Sequence, residues 1–195
     1  MLEIIAEHSL IGHAYADDTQ TYEHCSVDDL PITFSHLQHC FSALFDWMNS
    51  NRLKLNADKT EVIIFGSRHK LSKVELNSIT LNGVVVPLAD SVRNLGVTLE
   101  SDLSFTLHSK KLTSSCFFNI KQCWQIRNCL TQPACETLVH AFVTSRLDYC
   151  NAVLAGSNKS VLRSLQLIQN AAARLVTRSK KRDHVTPVLR DLTGS

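Results

Sequence analysis

A change of hydrophobic period near residue 102 limits what this chain can fold into more than any other feature of its sequence. Before it, apolar residues come mostly in the short runs and alternations that make strands. After it, three long stretches at about 105–129, 133–154 and 159–178 repeat with the period of amphipathic helices. Punctuation residues support those limits. Thr131 is placed to cap the second helix, and Pro133 falls in its first turn, where no amide hydrogen is needed. Gly156 suits its end. The third helix opens after Ser157 and Asn158, with Val161, Leu165, Ile168, Ala172 and Leu175 as its buried stripe. The chain is therefore expected to be α+β over residues 1–101 and all-α over residues 102–195.

The first half divides further. Leu2, Ile4 and Ile5 read as the end of a helix closed at Gly12. From His13 to Tyr22, strand formers flank two adjacent acids, which predicts a β-hairpin with Asp17 and Asp18 at its tip. Leu37, Cys40, Phe41, Leu44, Phe45 and Met48 follow the i, i+3, i+4, i+7 spacing of a helix over residues 35–51. Short strands are expected around Leu53–Leu55 and Glu61–Phe65. Asn82-Gly83, between Ile79–Leu81 and Val84–Val86, is the strongest short hairpin signal in the chain. A further strand is expected from Val92 to Leu99.

Composition excludes several classes. Of 195 residues, 44% are hydrophobic and 19% charged, which fits a globular chain and not a disordered or fibrous one. No apolar run approaches the roughly 20 residues of a membrane span. The amino terminus carries acids where a signal peptide carries basic residues, so an intracellular protein, nuclear or cytoplasmic, is expected. The net charge of +2 hides a division: residues 1–100 sum to −6 and residues 101–195 to +8. A basic half points to a polyanionic partner, or simply to a solvated surface. The seven cysteines include no Cys-x-x-Cys pair and read as reduced thiols without disulfide partners. Cys116 and Cys123 share one helix face. Trp124, Phe117 and Phe118 are expected to pack rather than to stack on bases.

Two neighbouring carboxylates repel unless a cation binds them, and Mg²⁺, a hard ion, takes oxygen ligands. Asp28-Asp29, by contrast, reads as a loop or helix cap. Tyr15-Ala16-Asp17-Asp18 matches the YxDD signature of reverse transcriptases, and the string from His13 to Gln20 resembles the non-LTR, LINE-type branch. Trp47–Asn56, Asp58–Glu61 and Phe65-Gly66 look like the segment that follows the catalytic hairpin in that family. Val92–Val97 looks like the next palm motif, and Ser145–Asn151 and Gln169–Arg174 resemble the helical region beyond the palm.

The resemblance implies a partial antiparallel palm-type sheet with a packed helix, followed by a helical thumb-like region. It implies RNA-directed DNA synthesis with Mg²⁺ or Mn²⁺ in the complete enzyme, acting on an RNA template, a DNA primer and dNTPs. Asp17 and Asp18 would be the metal ligands, and Lys59 would supply charge and a proton near departing pyrophosphate. Tyr15 would line the site, and Leu95 and Gly96 would shape the primer-side strand. Lys110, Lys111, Arg174, Arg178, Lys180, Lys181 and Arg182 would track a nucleic-acid backbone. In this family a further metal-binding Asp and the fingers lie well upstream of the hairpin, whereas here 14 residues precede Tyr15. The expectation is a fragment that is inactive alone. The alternative is a non-enzymatic nucleic-acid-binding remnant that uses the basic helices.

Overall fold

A computed structural model describes residues 1–16, 18–54, 59–149 and 151–180, and the chain divides into two compact units, Met1–Val92 and Arg93–Ser195. The architecture is α+β, with antiparallel hairpins and helices. Among the described residues no helix is long and apolar enough to cross a membrane.

The first unit opens with helix α1 (Leu2–Glu7), which ends earlier than Gly12. Ser9 turns left-handed at φ 59°, Leu10 N–H donates to Ile5 O at 3.1 Å and Ser9 N–H to Ala6 O at 2.9 Å. That paired closure stops a helix without a glycine. Gly12 instead lies in strand β1 (Ile11–Tyr15), which pairs with β2 (Asp18–Tyr22). A Cβ at Gly12 would come within 2.8 Å of Ile5 Cδ1, so the glycine lets the hairpin sit on α1. Helix α2 (Leu30–Ser50) starts five residues before the expected position. It packs Cys40 and Leu44 with Ile5 and Leu10 in one cluster, and Phe34 with Ile79, Leu81 and Val86 in another.

The second cluster comes from the Asn82-Gly83 hairpin, strands β3 (Ser78–Leu81) and β4 (Val84–Pro87), as expected. Both turn residues have positive φ, at 47° and 80°, the geometry that matches strand twist. The two short strands expected before it do not form among the described residues. Leu53 belongs to the closure of α2: Arg52 is left-handed at φ 58°, and Leu53 N–H donates to Met48 O at 2.8 Å. Leu55 lies outside the described residues. Glu61–Phe65 makes only an isolated parallel bridge, Val62 to Leu88. A short helix, α3 (Arg68–Leu71), is capped by Ser67.

In the second unit the expected single strand over 92–99 is two strands. β5 (Ser91–Asn94) and β6 (Val97–Glu100) pair around a turn at Leu95-Gly96, with φ 43° and 86°. Helix α4 (Thr106–Gln125) follows. Its first turn is capped from outside, since Glu100 Oε2 accepts from Leu107 N–H at 2.8 Å. A carboxylate there also complements the positive helix end. Cys116, Ile120 and Cys123 form its buried stripe. Because those residues occupy the inward positions, Phe117, Phe118 and Trp124 turn outward at 39%, 61% and 44% exposure, contrary to the packing expected of them.

The chain then tightens into a 3₁₀ turn (Arg127–Cys129), which places Arg127 inside the protein at 4% exposure. Helix α5 (Gln132–Val139) begins with Thr131 accepting from Ala134 N–H, as expected. The expected continuous helix over 133–154 is interrupted. A π-helical stretch (His140–Thr144) leads into α6 (Ser145–Asp148), and Asn151–Leu154 is a 3₁₀ turn. Asn119 of α4 donates to Phe142 O within the wide turn at 3.1 Å. Helix α7 (Lys159–Thr177) is capped by Asn158 and buries Val161, Ile168, Ala172 and Leu175, four of the five residues expected in its stripe; Leu165 is half-buried. Ile168, Ala172 and Leu175, with Leu165 against them, pack on Cys116, Ile120, Cys123, Cys135 and Val143 to make the core of the unit.

Burial raises the pKa of Cys40, Cys116, Cys123 and Cys135, so they behave as protonated, apolar thiols. Cys25 and Cys129 are exposed free thiols, and Cys150 lies outside the described residues.

A carboxylate hairpin and a basic groove

The first candidate site is the tip of the β1–β2 hairpin. Strand pairing runs to Tyr15 opposite Asp18, and Ala16 has a positive φ of 54°. Tyr15 is 68% exposed and Asp18 is also exposed. The strands are braced at their far end, where His13 Nε2 lies 2.9 Å from Tyr22 Oη with the rings stacked at 5.6 Å. Asp17 lies outside the described residues, as does Asp58 next to Lys59; Lys59 itself is exposed. Asp18 is therefore the one described carboxylate at the tip. Among the described residues no group of three His, Cys, Asp or Glu side chains converges to hold a metal. The described donors do not make a cation site.

The second candidate site is a groove of about 450 Å³ in the second unit, built where the β5–β6 hairpin meets α4 and α6. Arg93, Lys111 and Arg146 line it, with Thr98, Ser115 and Ser145 hydroxyls between them and, among the described residues, no carboxylate. Arg146 donates from Nη1 to Ser115 Oγ, and Lys111 Nζ to Thr98 Oγ1 at 3.3 Å, which holds two of the cations at the rim. Three cations without a counter-carboxylate suit an anionic ligand.

The hairpin end of the groove depends on an unusual turn. Tyr149 Oη donates to Leu95 O at 2.5 Å, and its ring lies where a Cβ on Gly96 would come within 3.4 Å of Cε1. Glycine at 96 thus satisfies both the left-handed φ and the close approach of the ring. The hydrogen bond also holds Leu95 in a conformation few non-glycine residues adopt.

His108 lies deeper in the groove and is 9% exposed. Thr98 N–H donates to its Nδ1 at 3.2 Å, which assigns the proton of the neutral ring to Nε2. Burial depresses its pKa and the Lys111 ammonium pushes the same way, against the pull of Glu100. The ring therefore adds no charge to the groove near neutral pH.

Of the sequence-derived site residues, Gly96 and Lys111 meet in this groove, with Leu95 at its turn. Lys110, the next residue on α4, points instead into a separate cleft against α7. Arg174 is half-buried and donates to Asn170 O of its own helix at 3.4 Å. Arg178 is the left-handed C-cap of α7 and donates to Arg127 O at 3.2 Å. Lys180 is exposed, while Lys181 and Arg182 lie outside the described residues. Arg93, Arg146 and Tyr149 were not singled out by sequence reasoning, although each falls in a segment carrying the family resemblance.

Neither a protein-family model nor a solved structure matches the chain. The sequence is similar to the RNA-directed DNA polymerase from mobile element jockey of Drosophila melanogaster, at 25% identity over 198 aligned residues. The alignment covers 96% of this chain and 21% of that protein, so the chain spans about a fifth of the relative's length. The match supports a retrotransposon reverse-transcriptase-like relationship for the chain.

Proposed function

We propose that the chain is the part of a LINE-type RNA-directed DNA polymerase that runs from the catalytic hairpin onward, a partial palm (1–101) followed by a thumb-like helical region (102–195). The observation that carries this reading is the similarity to the jockey polymerase along nearly the whole chain. It agrees with the order of the motifs around Tyr15–Asp18, Trp47–Glu61, Val92–Val97 and Ser145–Asn151. In the intact polymerase Asp17 and Asp18 would supply two of the carboxylates that hold divalent metal. Tyr15 would sit beside them, and Lys59 would supply a positive charge and a proton. A divalent ion there would stabilise the attacking and leaving oxygens of nucleotidyl transfer. The RNA template, the DNA primer and dNTPs would be the partners and substrates.

The 195 residues alone are proposed to extend no primer, because a clamp for phosphoryl transfer needs more oxygen ligands than one hairpin tip provides. The test uses a longer in-frame polymerase that contains this segment. Mg²⁺- or Mn²⁺-dependent extension on an RNA template is expected there, and Asp17→Ala should abolish it. Extension that survives Asp17→Ala overturns the assignment, and extension by the 195-residue chain by itself overturns its proposed inactivity.

A second reading, nucleic-acid binding without catalysis, is favoured by the groove whose described lining holds three cations and no carboxylate. If Arg93, Lys111 and Arg146 each meet one phosphate of a duplex, the logarithm of affinity should fall against that of salt with a slope of about −3. Arg146→Gln should reduce that slope by about one. Affinity indifferent to salt refutes this reading.

A further inference from the structure

Helices α4 and α7 lie side by side and parallel. Their first turns line one cleft, with Lys110 and Ser114 from α4 and Ser160 and Ser164 from α7. At the other end of the pair, Arg127 just beyond α4 bonds the last carbonyls of α7, at Leu175 and Val176. The cleft therefore marks a side on which the seam between the helices opens to solvent. Steps of three and four residues keep to one side of a helix. From Lys110 and Ser114 such steps lead through Phe117, Lys121 and Trp124; from Ser160 and Ser164 they lead through Leu167 and Arg174. Phe117, Lys121, Trp124 and Leu167 are exposed, and Arg174 is half-buried.

We propose that this open side of the seam is a binding face for single-stranded nucleic acid. Phe117 and Trp124 are the rings on which its bases stack, and Lys110 and Lys121 are the cations that meet its phosphates. The face uses other residues than the groove of Arg93, Lys111 and Arg146, and the inference does not depend on the polymerase reading.

The first observation is that the fold does not use these rings. Cys116, Ile120 and Cys123 already supply the stripe by which α4 joins the core. Phe117 and Trp124 stand outside it, seven residues and so about 10 Å apart along the helix axis. Lys121 falls between them, within about 60° of both around the axis. Burying either ring against a base would remove apolar surface that the folded chain leaves in water.

The second observation is charge. Neither α4 nor α7 contains an Asp or a Glu. They carry Lys110, Lys111 and Lys121 on one helix and Lys159, Arg163 and Arg174 on the other. Among the described residues Lys110 and Lys121 make no ion pair. Lysine is depleted from the centres of protein–protein interfaces, so ammonium groups set among rings suit a docked protein poorly. Cations and aromatic rings together, with no acid on either helix, complement a polyanion that also offers flat apolar faces.

The rings also choose between the two forms of nucleic acid. Within a duplex each base face is covered by its neighbours in the stack. Side chains projecting from a helix find free faces only on unpaired bases.

The experiment measures binding of the full 195-residue chain to two fluorescein-labelled strands by anisotropy. One is a thymidine oligonucleotide of about 12 nucleotides, and the other is an abasic strand of the same length. The abasic strand keeps the phosphates and lacks the bases, so the ratio of the two affinities reads stacking alone. The base-bearing strand should bind about 5- to 150-fold tighter for each base stacked. Phe117→Leu and Trp124→Leu, which keep apolar bulk without the ring, should each lower the ratio by about fivefold or more. Lys121→Gln should reduce the salt slope by about 0.7, the share of one phosphate contact on a single strand. In a Trp47→Phe background the base-bearing strand should quench the fluorescence of Trp124.

A ratio near one overturns the proposal. So does a ratio that falls in Arg146→Gln and holds in Phe117→Leu, which places the strand in the groove. Self-association of the chain in sedimentation, lost in Trp124→Leu, would put a second copy on this face and overturn it as well. A duplex of the same length that equals the single strand in affinity and in quenching refutes the choice of ligand. Should a leucine variant fail to fold, the wild-type ratio and the quenching decide: both together support the face, and the absence of either overturns it.

Discussion

Replacing Arg127 with methionine should destabilise the second unit by about 3–5 kcal/mol. Its guanidinium donates from Nε to Leu175 O at 2.7 Å, from Nη2 to Val176 O at 2.7 Å and from Nη1 to Leu130 O at 2.9 Å. A hydrogen bond to a charged group contributes about 1.5–3 kcal/mol, so three would sum to about 5–9 kcal/mol if they were independent. They share one side chain, and methionine recovers about 1.5–3 kcal/mol through apolar burial, which brings the net loss into the stated range. Leu175 and Val176 are 0% and 1% exposed, which leaves water little access to their orphaned carbonyls. The loss would remove a large part of the 5–15 kcal/mol that holds a typical domain together. The chain has two tryptophans, Trp47 in the first unit and Trp124 in the second. In a Trp47→Phe background, urea unfolding followed by Trp124 fluorescence reads the second unit alone. The midpoint should fall with the slope unchanged. Arg127→Lys should recover under half of the loss, since one ammonium cannot span three carbonyls. A loss below about 1 kcal/mol for Arg127→Met would refute the claim that the guanidinium closes the end of α7.

Three further outcomes are expected. His108 has a folded-state pKa below its ordinary 6.5, so below that pH the unfolded chain binds more protons; stability should fall as pH drops from about 6.5 through the depressed value and then level off. His108→Asn, which keeps an acceptor for Thr98 N–H, should flatten that part of the stability profile in urea titrations at several pH values. Gly96→Ala should cost about 1–2 kcal/mol from its positive φ, and Tyr149→Phe about 1 kcal/mol from the lost bond to Leu95 O; a neutral result for both in chemical denaturation would contradict the described turn. Gly12→Ala should cost about 1–3 kcal/mol by overpacking Ile5, and Ile5→Val should restore part of it, a coupling that a double-mutant cycle measures.

Much of the fold was legible because its signals are local. Asn82-Gly83 announces its turn through two residues that tolerate positive φ, and the stripe of α7 is written in spacing alone. Leu95-Gly96 makes the same kind of turn, yet leucine is a poor left-handed residue and the flanking valines read as continuous strand. The stabilising contact comes from Tyr149, 54 positions away. Arg127 was illegible for the same reason, because its partners on α7 lie 48 and 49 positions on. Adjacent Lys110 and Lys111 read as one patch, whereas a helix separates neighbours by a quarter turn or more. Arg93 and Arg146 become a pair only when a hairpin and two helices converge on one groove.

The π-helical stretch at His140–Thr144 carries a consequence for how this groove can be lost or kept. A widened turn holds one residue more than an α-turn would, and every later side chain on that helix is rotated by about 100° relative to an uninterrupted one. Arg146 and Tyr149 lie immediately downstream. Their arrival at the groove is thus encoded in the residue count of the preceding segment and not only in their own identities. Removing one residue there would leave the arginine and the tyrosine in place in the sequence while turning both away from Ser115 and Leu95. Substitution at a position erases one contact, but a change of length by one residue would disconnect the whole rim.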